Sequence, residues 1–249
     1  MKKRKILFLI ITFLIFSSVG CGHEKKQEKD ALVQDETAAF VEASTEDCIV
    51  SESEAGGLEQ REDVSREGIV QVQTETQRGS GVLWEKQEGF WYFVTASHVV
   101  EKQEQVEVFF AEYDKLCIAD VHCIEGLDLA FLQVDTTSMS EEMKESYIEC
   151  EVVSDTVKSG DSIWAIGYSA STEKQEYQGA IWEPWIYTED FGNYMLLCQC
   201  EAQPGMSGGA VFTEDRAMAG IVCGQNDDGM LAVLPSAVIE GEYQLFINY

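Results

Sequence analysis

Positive charge is scarce in this chain: 17 lysines and arginines stand against 45 aspartates and glutamates, for a net charge of −28 over 249 residues. A nucleic-acid ligand needs basic patches that displace counterions, so the balance argues against one. The same balance would repel anionic lipid surfaces and favours solubility and cationic partners. Histidine is rarer still, with His23, His98 and His122 only. No Cys-x-x-Cys occurs, and Cys198-x-Cys200 with so few histidines makes a poor zinc site, so neither a metal nor another cofactor is expected. Long apolar runs are lacking as well. None reaches the ~20 residues of a membrane-spanning helix.

What the chain does have is Gln203-Pro204-Gly205-Met206-Ser207-Gly208-Gly209-Ala210-Val211-Phe212, a serine among three glycines with an apolar run behind it. Glycines allow turns closed to other residues and close approach of another backbone. A nucleophilic serine needs both, so that its hydroxyl stands clear and N–H groups converge where a substrate oxygen turns negative. Gly205-x-Ser207-x-Gly209 also fits the nucleophile elbow of α/β-hydrolases, whose histidine follows the serine. Every histidine here precedes Ser207, which excludes that order. A His–Asp–Ser order stays open, as does a glycine-rich hairpin with an incidental serine.

The first twenty residues read as an export signal. Lys2, Lys3, Arg4 and Lys5 precede residues 6–16, apolar apart from Thr12, a run short enough for a signal core. Ser18-Val19-Gly20-Cys21 then resembles the lipobox of bacterial lipoproteins, although Ser18 replaces the usual leucine-like residue. The resemblance implies cleavage before Cys21, lipidation of Cys21 and a membrane-anchored protein facing outside the cytoplasm. Ordinary signal cleavage and a short uncleaved anchor are the alternatives. Residues 21–65, dominated by Glu, Gln, Ser, Asp and Lys without apolar period, read as an acidic disordered tether. Of the eight cysteines, seven besides Cys21 cannot all pair within the chain. Export permits disulfides, spacing fixes no connectivity, and buried thiols are the plainer reading.

From about residue 66 the texture changes to short runs rich in Val, Ile, Phe, Tyr and Trp. They fall at residues 69–74, 80–84, 90–95, 105–110, 116–123 and 127–134, then 148–153, 162–167, 177–182, 194–200, 209–212, 217–223 and 230–234. Such residues suit a pleated, half-buried surface, and many short strands with little helix predict an all-β protein. Two sets suggest two barrels, at about 66–137 and 146–249, joined near residues 135–145, with a short helix after Pro235 packed on the second.

Two further segments bear on Ser207. Phe93-Val94-Thr95-Ala96-Ser97-His98-Val99-Val100 ends an apolar strand in a histidine, and Gly126-Leu127-Asp128-Leu129-Ala130 sets a carboxylate among apolar residues. An ionised Asp there is costly to bury without a partner, and a histidine N–H would supply one. Alternatively His98 ends a strand on a backbone bond, Asp128 begins a turn, or His122 is the base. With Gly79-Ser80-Gly81-Val82, Thr95-Ala96-Ser97-His98-Val99, Asp128-Leu129-Ala130 and Pro204-Gly205-Met206-Ser207-Gly208-Gly209 in that order, residues 66–249 resemble the trypsin-like (chymotrypsin-fold) serine peptidases, closest to the bacterial Deg/HtrA-like branch.

That resemblance implies two perpendicular six-stranded antiparallel β-barrels with the site between them and a protein or peptide as substrate. It implies Ser207 as nucleophile, His98 as base, Asp128 as the group orienting it, and N–H groups of Gly205 and Ser207 as the oxyanion hole. The specificity pocket would be walled by Cys200, Glu201, Ala202 and Gln203, by Cys223, Gly224 and Gln225, and by Ala232 and Val233. Glu201 would favour a basic residue before the cut, or else face solvent. Cys200, Ala202 and Val233 equally fit a small apolar pocket. Met206 stands where digestive enzymes carry an acidic residue that pairs with a freed N-terminus, so activation of that kind is not expected. Tyr249 comes too soon after the second barrel for a PDZ domain. The alternative function is a catalytically silent peptide-binding lipoprotein on the same scaffold.

Overall fold

The computed structural model describes residues 68–152, 157–170 and 173–248. The export signal, Cys21 and the acidic tether lie outside the described residues. Among those described, no helix is long and apolar enough to cross a membrane.

Twelve strands form two closed antiparallel barrels. The first holds β1 (Ile69–Thr74), β2 (Arg78–Gln87), β3 (Phe90–Thr95), β4 (Val106–Phe110), β5 (Lys115–Cys123) and β6 (Ala130–Asp135) in the order β1-β2-β3-β6-β5-β4. The second holds β7 (Ser162–Tyr168), β8 (Lys174–Thr188), β9 (Asn193–Gln199), β10 (Ala210–Thr213), β11 (Met218–Gln225) and β12 (Met230–Pro235) in the order β10-β11-β12-β9-β8-β7. Closure leaves no sheet edge open to pair with another chain.

Three apolar clusters hold this arrangement. Val70, Val72, Leu83, Phe93, Val108 and Leu132 fill the first barrel. Ile163, Ala165, Leu196, Val211, Val222 and Val233 fill the second. A third layer lies between them, where Ile69, Val82, Val94 and Phe131 meet Ile166, Tyr168, Ala210, Phe212 and Ile221. Strands on this seam are buried on both faces, so β11 reads as an unbroken apolar run, buried from Met218 to Gly224. β8 faces water on one side and alternates instead.

Some sequence expectations change here. Residues 148–152 form no strand. Only Val152 makes an isolated bridge, to Met218, while the Cys150 N–H donates to the Leu83 carbonyl. The link between barrels contains helix α2 (Glu141–Ser146), capped by the Ser140 hydroxyl on the Met143 N–H. A single helical turn, α1 (Ser97–Val100), interrupts the first barrel after β3. The helix after Pro235, α3 (Ser236–Ile247), reaches both barrels. Its Tyr243 packs edge-on against Trp84, Tyr92 and Phe131 of the first at centroid distances of 6.4, 5.8 and 5.4 Å.

Candidate active site

His98 sits on α1, directly after β3. The turn is seated by buried Val99 and Val100 and by Gly79 of β2, where a Cβ would fall 2.6 Å from the Val99 side chain. Asp128 lies in the turn between β5 and β6 and not, as its apolar neighbours suggest, within a strand. Its carboxylate completes α1. Oδ1 accepts the backbone N–H of His98 and the hydroxyl of Ser97, both at 3.0 Å, supplying partners that the first turn of a helix otherwise lacks. His98 Nδ1 lies 2.8 Å from Oδ2 and 3.1 Å from Oδ1. Both side chains are largely buried, 13% and 12% exposed.

Burial alone would raise the pKa of Asp128. The hydrogen bond and charge of the His98 ring, its backbone N–H and the Ser97 hydroxyl outweigh that and hold the carboxyl below its ordinary value. An ionised Asp128 can only accept, so Nδ1 carries a proton, and the neutral ring in that tautomer has its lone pair on Nε2. His122, the rival base, is exposed on β5 with its ring 4.8 Å from that of Phe246.

Ser207 stands on the turn before β10, half-buried. The turn is tied to the first barrel. The Ser80 N–H donates to the Ser207 carbonyl at 2.8 Å. Gly208, at φ +83°, has no room for a Cβ, which would meet the Ser80 carbonyl at 2.2 Å, Thr95 Oγ1 at 2.3 Å and the Ala96 N at 2.9 Å. The residue after Ser207 therefore packs on the segment leading into His98. Among the described residues the Ser207 hydroxyl makes no hydrogen bond.

The loop before it is ordered. The Pro204 carbonyl accepts from the Ala170 N–H at 2.8 Å, and the Met206 N–H donates to the Gln203 carbonyl at 3.1 Å. Met206 is fully buried, and its sulfur accepts the Gln203 N–H at 3.3 Å. The N–H groups of Gly205 and Ser207 donate to nothing among the described residues. They are free to bind an oxygen.

Beside Ser207 lies a pocket of about 30 Å³, room for roughly two waters at ~10–15 Å³ each. Ala202, Gln203, Gly224 and Gln225 line it, as do three residues that the sequence did not assign to it, Pro204, Val222 and Leu231. The other pocket candidates stand elsewhere. Glu201 is exposed. Cys200, Cys223 and Val233 are buried behind the wall, Cys223 with its thiol 3.8 Å from the Asp128 carbonyl. Gln225 reaches across, its Nε2 donating to the carbonyls of Cys200 at 2.9 Å and Gly229 at 3.4 Å. Burial pushes the Cys200 thiol up to about 11 and the Cys198 thiol to about 12, which keeps both protonated and poor nucleophiles. Ser97, Ser80 and Thr95 also went unassigned as contributors, although they flank recognisable motifs.

Two closed six-stranded antiparallel barrels joined along such a seam are the architecture of the chymotrypsin-like serine peptidases. A family profile described as "Trypsin-like peptidase domain" matches residues 79–221, over half of the chain. The chain belongs to that family of serine-type endopeptidases. No curated protein sequence matches it. Among solved structures it is similar to the protease Rv3671c of M. tuberculosis H37Rv in an inactive serine-to-alanine mutant form, at 18% identity and TM-score 0.60, over 79% of this chain and 96% of that one. A second inactive form of Rv3671c matches at 18% identity and TM-score 0.58, over 71% and 87%. A serine endoprotease from Yersinia pestis matches at 22% identity and TM-score 0.61, over 75% and 65%. At these identities the likeness speaks to the fold.

Proposed function

We propose that the protein cleaves peptide bonds through Ser207, His98 and Asp128, and that it acts at the cell surface on a lipid anchor at Cys21. The observation that carries the chemistry is the His98–Asp128 pair, joined at 2.8 Å, which follows directly on the Thr95–Ala96 segment that Gly208 packs against. Ser207 Oγ attacks the scissile carbonyl carbon while His98 Nε2 takes its proton. The proton then goes to the leaving amine, and water repeats the sequence on the acyl-enzyme. Asp128 holds the tautomer and stabilises the charged ring. The Gly205 and Ser207 N–H groups receive the oxyanion, the role in which one lost donor costs about 2.7–4 kcal/mol. The Ser207 hydroxyl closes on Nε2 when substrate arrives, since such hydrogen bonds tighten in the loaded complex.

The size of the pocket and its apolar Ala202, Val222 and Leu231 support a small apolar residue, alanine or valine, before the cut. Glu201, exposed outside it, gives no reason to expect a basic one. The lipid anchor rests on the sequence of residues 1–21 and is tested by globomycin-sensitive processing and by Cys21→Ala, which should release the protein from membranes.

An organofluorophosphonate probe should label folded wild-type protein at Ser207, and both Ser207→Ala and His98→Ala should abolish labelling. Folded wild-type protein that binds peptides, never labels and never cleaves would overturn this reading in favour of a silent peptide-binding lipoprotein.

A further inference from the structure

We infer that Ser80, on the opposite barrel from Ser207, is a positioning residue that holds the oxyanion loop in its working shape. The inference rests on the serine-peptidase reading above and adds to it a dependence of that site on the first barrel's β2.

Ser80 is fully buried, and each of its polar groups is engaged across or beside the seam. Its N–H donates to the Ser207 carbonyl at 2.8 Å, and its carbonyl accepts the Thr95 hydroxyl at 2.7 Å. Its own hydroxyl does two things at once. It donates to the Gly205 carbonyl at 2.8 Å and accepts the Tyr168 N–H, from β7 of the second barrel, at 2.7 Å. A hydroxyl has one proton to donate, and here it goes to Gly205 while a lone pair takes the Tyr168 N–H.

The consequence falls on Gly205. A peptide unit is planar, so fixing a carbonyl fixes the N–H on its far side. The Ala170 N–H fixes the Pro204 carbonyl and thereby aims the Gly205 N–H. The Ser80 hydroxyl fixes the next carbonyl, that of Gly205. Gly205 itself, at φ +101°, has no side chain to resist rotation, and a Cβ there would strike Ala170 N at 2.5 Å. The loop keeps its shape through hydrogen bonds on both flanks, and Ser80 of the first barrel supplies two of them, its hydroxyl on the Gly205 carbonyl and its N–H on the Ser207 carbonyl. Without the hydroxyl the Gly205 carbonyl and the buried Tyr168 N–H lose their partner, and the peptide unit after Gly205 is held only at its other end, by the Met206 N–H on the Gln203 carbonyl.

The test is Ser80→Ala in the full-length protein, assayed with a tetrapeptide p-nitroanilide carrying alanine or valine before the scissile bond and with the matching peptide aldehyde. The expected result is kcat lower by about 10- to 100-fold, short of the 10²–10³ for outright loss of an oxyanion donor, with KM changed less than about twofold. Affinity for the aldehyde, whose adduct carries the tetrahedral oxygen, should fall by the same factor as kcat. Ser80→Thr keeps the hydroxyl and should keep most of kcat. A folded Ser80→Ala variant with wild-type kcat and aldehyde affinity overturns the inference, as does a folded Ser80→Thr variant as impaired as the alanine one. Should neither variant fold, amide exchange in the wild-type protein decides. A Tyr168 N–H exchanging as slowly as the core amides of β7 supports the clasp, and fast exchange there overturns it. Wild-type protein that turns over no peptide fails the peptidase reading instead.

Discussion

At the scale of single residues, the chemistry depends on which groups keep their protons. Asp128 holds its charge below the ordinary carboxylate value of 3.8. A depressed folded pKa contributes stability that is complete above the unfolded value and is lost as pH falls through the folded one. The stability gap between wild type and Asp128→Asn, measured by urea denaturation, should therefore be wide at pH 7 and close below about pH 4. In activity, Asp128→Asn should lower kcat by about 10⁴, the factor this family's own template gives for the wrong histidine tautomer. Gln225 governs the pocket. Gln225→Ala removes the side chain that crosses to Cys200 and should shift kcat/KM toward leucine over alanine before the cut by roughly 10-fold or more, the worth of a methylene or two. A cleavage profile unchanged in Gln225→Ala would count against the pocket assignment. His98, Asp128 and Ser207 could be singled out in the sequence because residues of their type are few or oddly set, a histidine among three and a charge in an apolar stretch. The pocket was only half legible, because alternate residues of β9–β12 face opposite ways and one position decides between wall and core. Val222 lines the pocket while Cys223 turns under Asp128.

At the scale of elements, short apolar runs located eleven of the twelve strands closely, since β-branched and aromatic residues mark them directly. They failed at residues 148–152, where apolar side chains line a connection that packs beside β2 and pairs with nothing regular. They also understated β8, which runs to Lys174–Thr188 because its bulges and one wet face dilute the apolar signal. The α1 turn was hidden for another reason. Four residues are too few for helical periodicity, and what sets them is the Asp128 carboxylate, distant in sequence. Helix α3 was foreseen but not its reach. Ile239, fully buried in the apolar cluster that the helix joins, should cost about 2–5 kcal/mol on truncation to alanine, read as a drop in the urea midpoint. Gly208→Ala should destabilise by the upper end of the roughly 1–3 kcal/mol typical of overpacking, since its Cβ would meet two oxygens at 2.2 and 2.3 Å.

At the scale of the whole molecule, the net charge of −28 sets a field that reaches beyond the cleft at low ionic strength and shrinks to about 10 Å at 0.1 M salt. Peptides with lysine or arginine flanking the cleaved bond should show kcat/KM falling with added sodium chloride, while neutral peptides of the same core stay level. A parallel decline for both would assign the effect to the fold instead. The layout of the seam has a consequence for biosynthesis. His98 and Asp128 belong to the first barrel and Ser207 to the second, and Ser80 stitches the two barrels together. With the proposed triad, a ribosome that has released only the first barrel has made a base without a nucleophile. Cutting power would then appear only when the last strands close, which would spare the unfinished chain and its neighbours from being digested during synthesis.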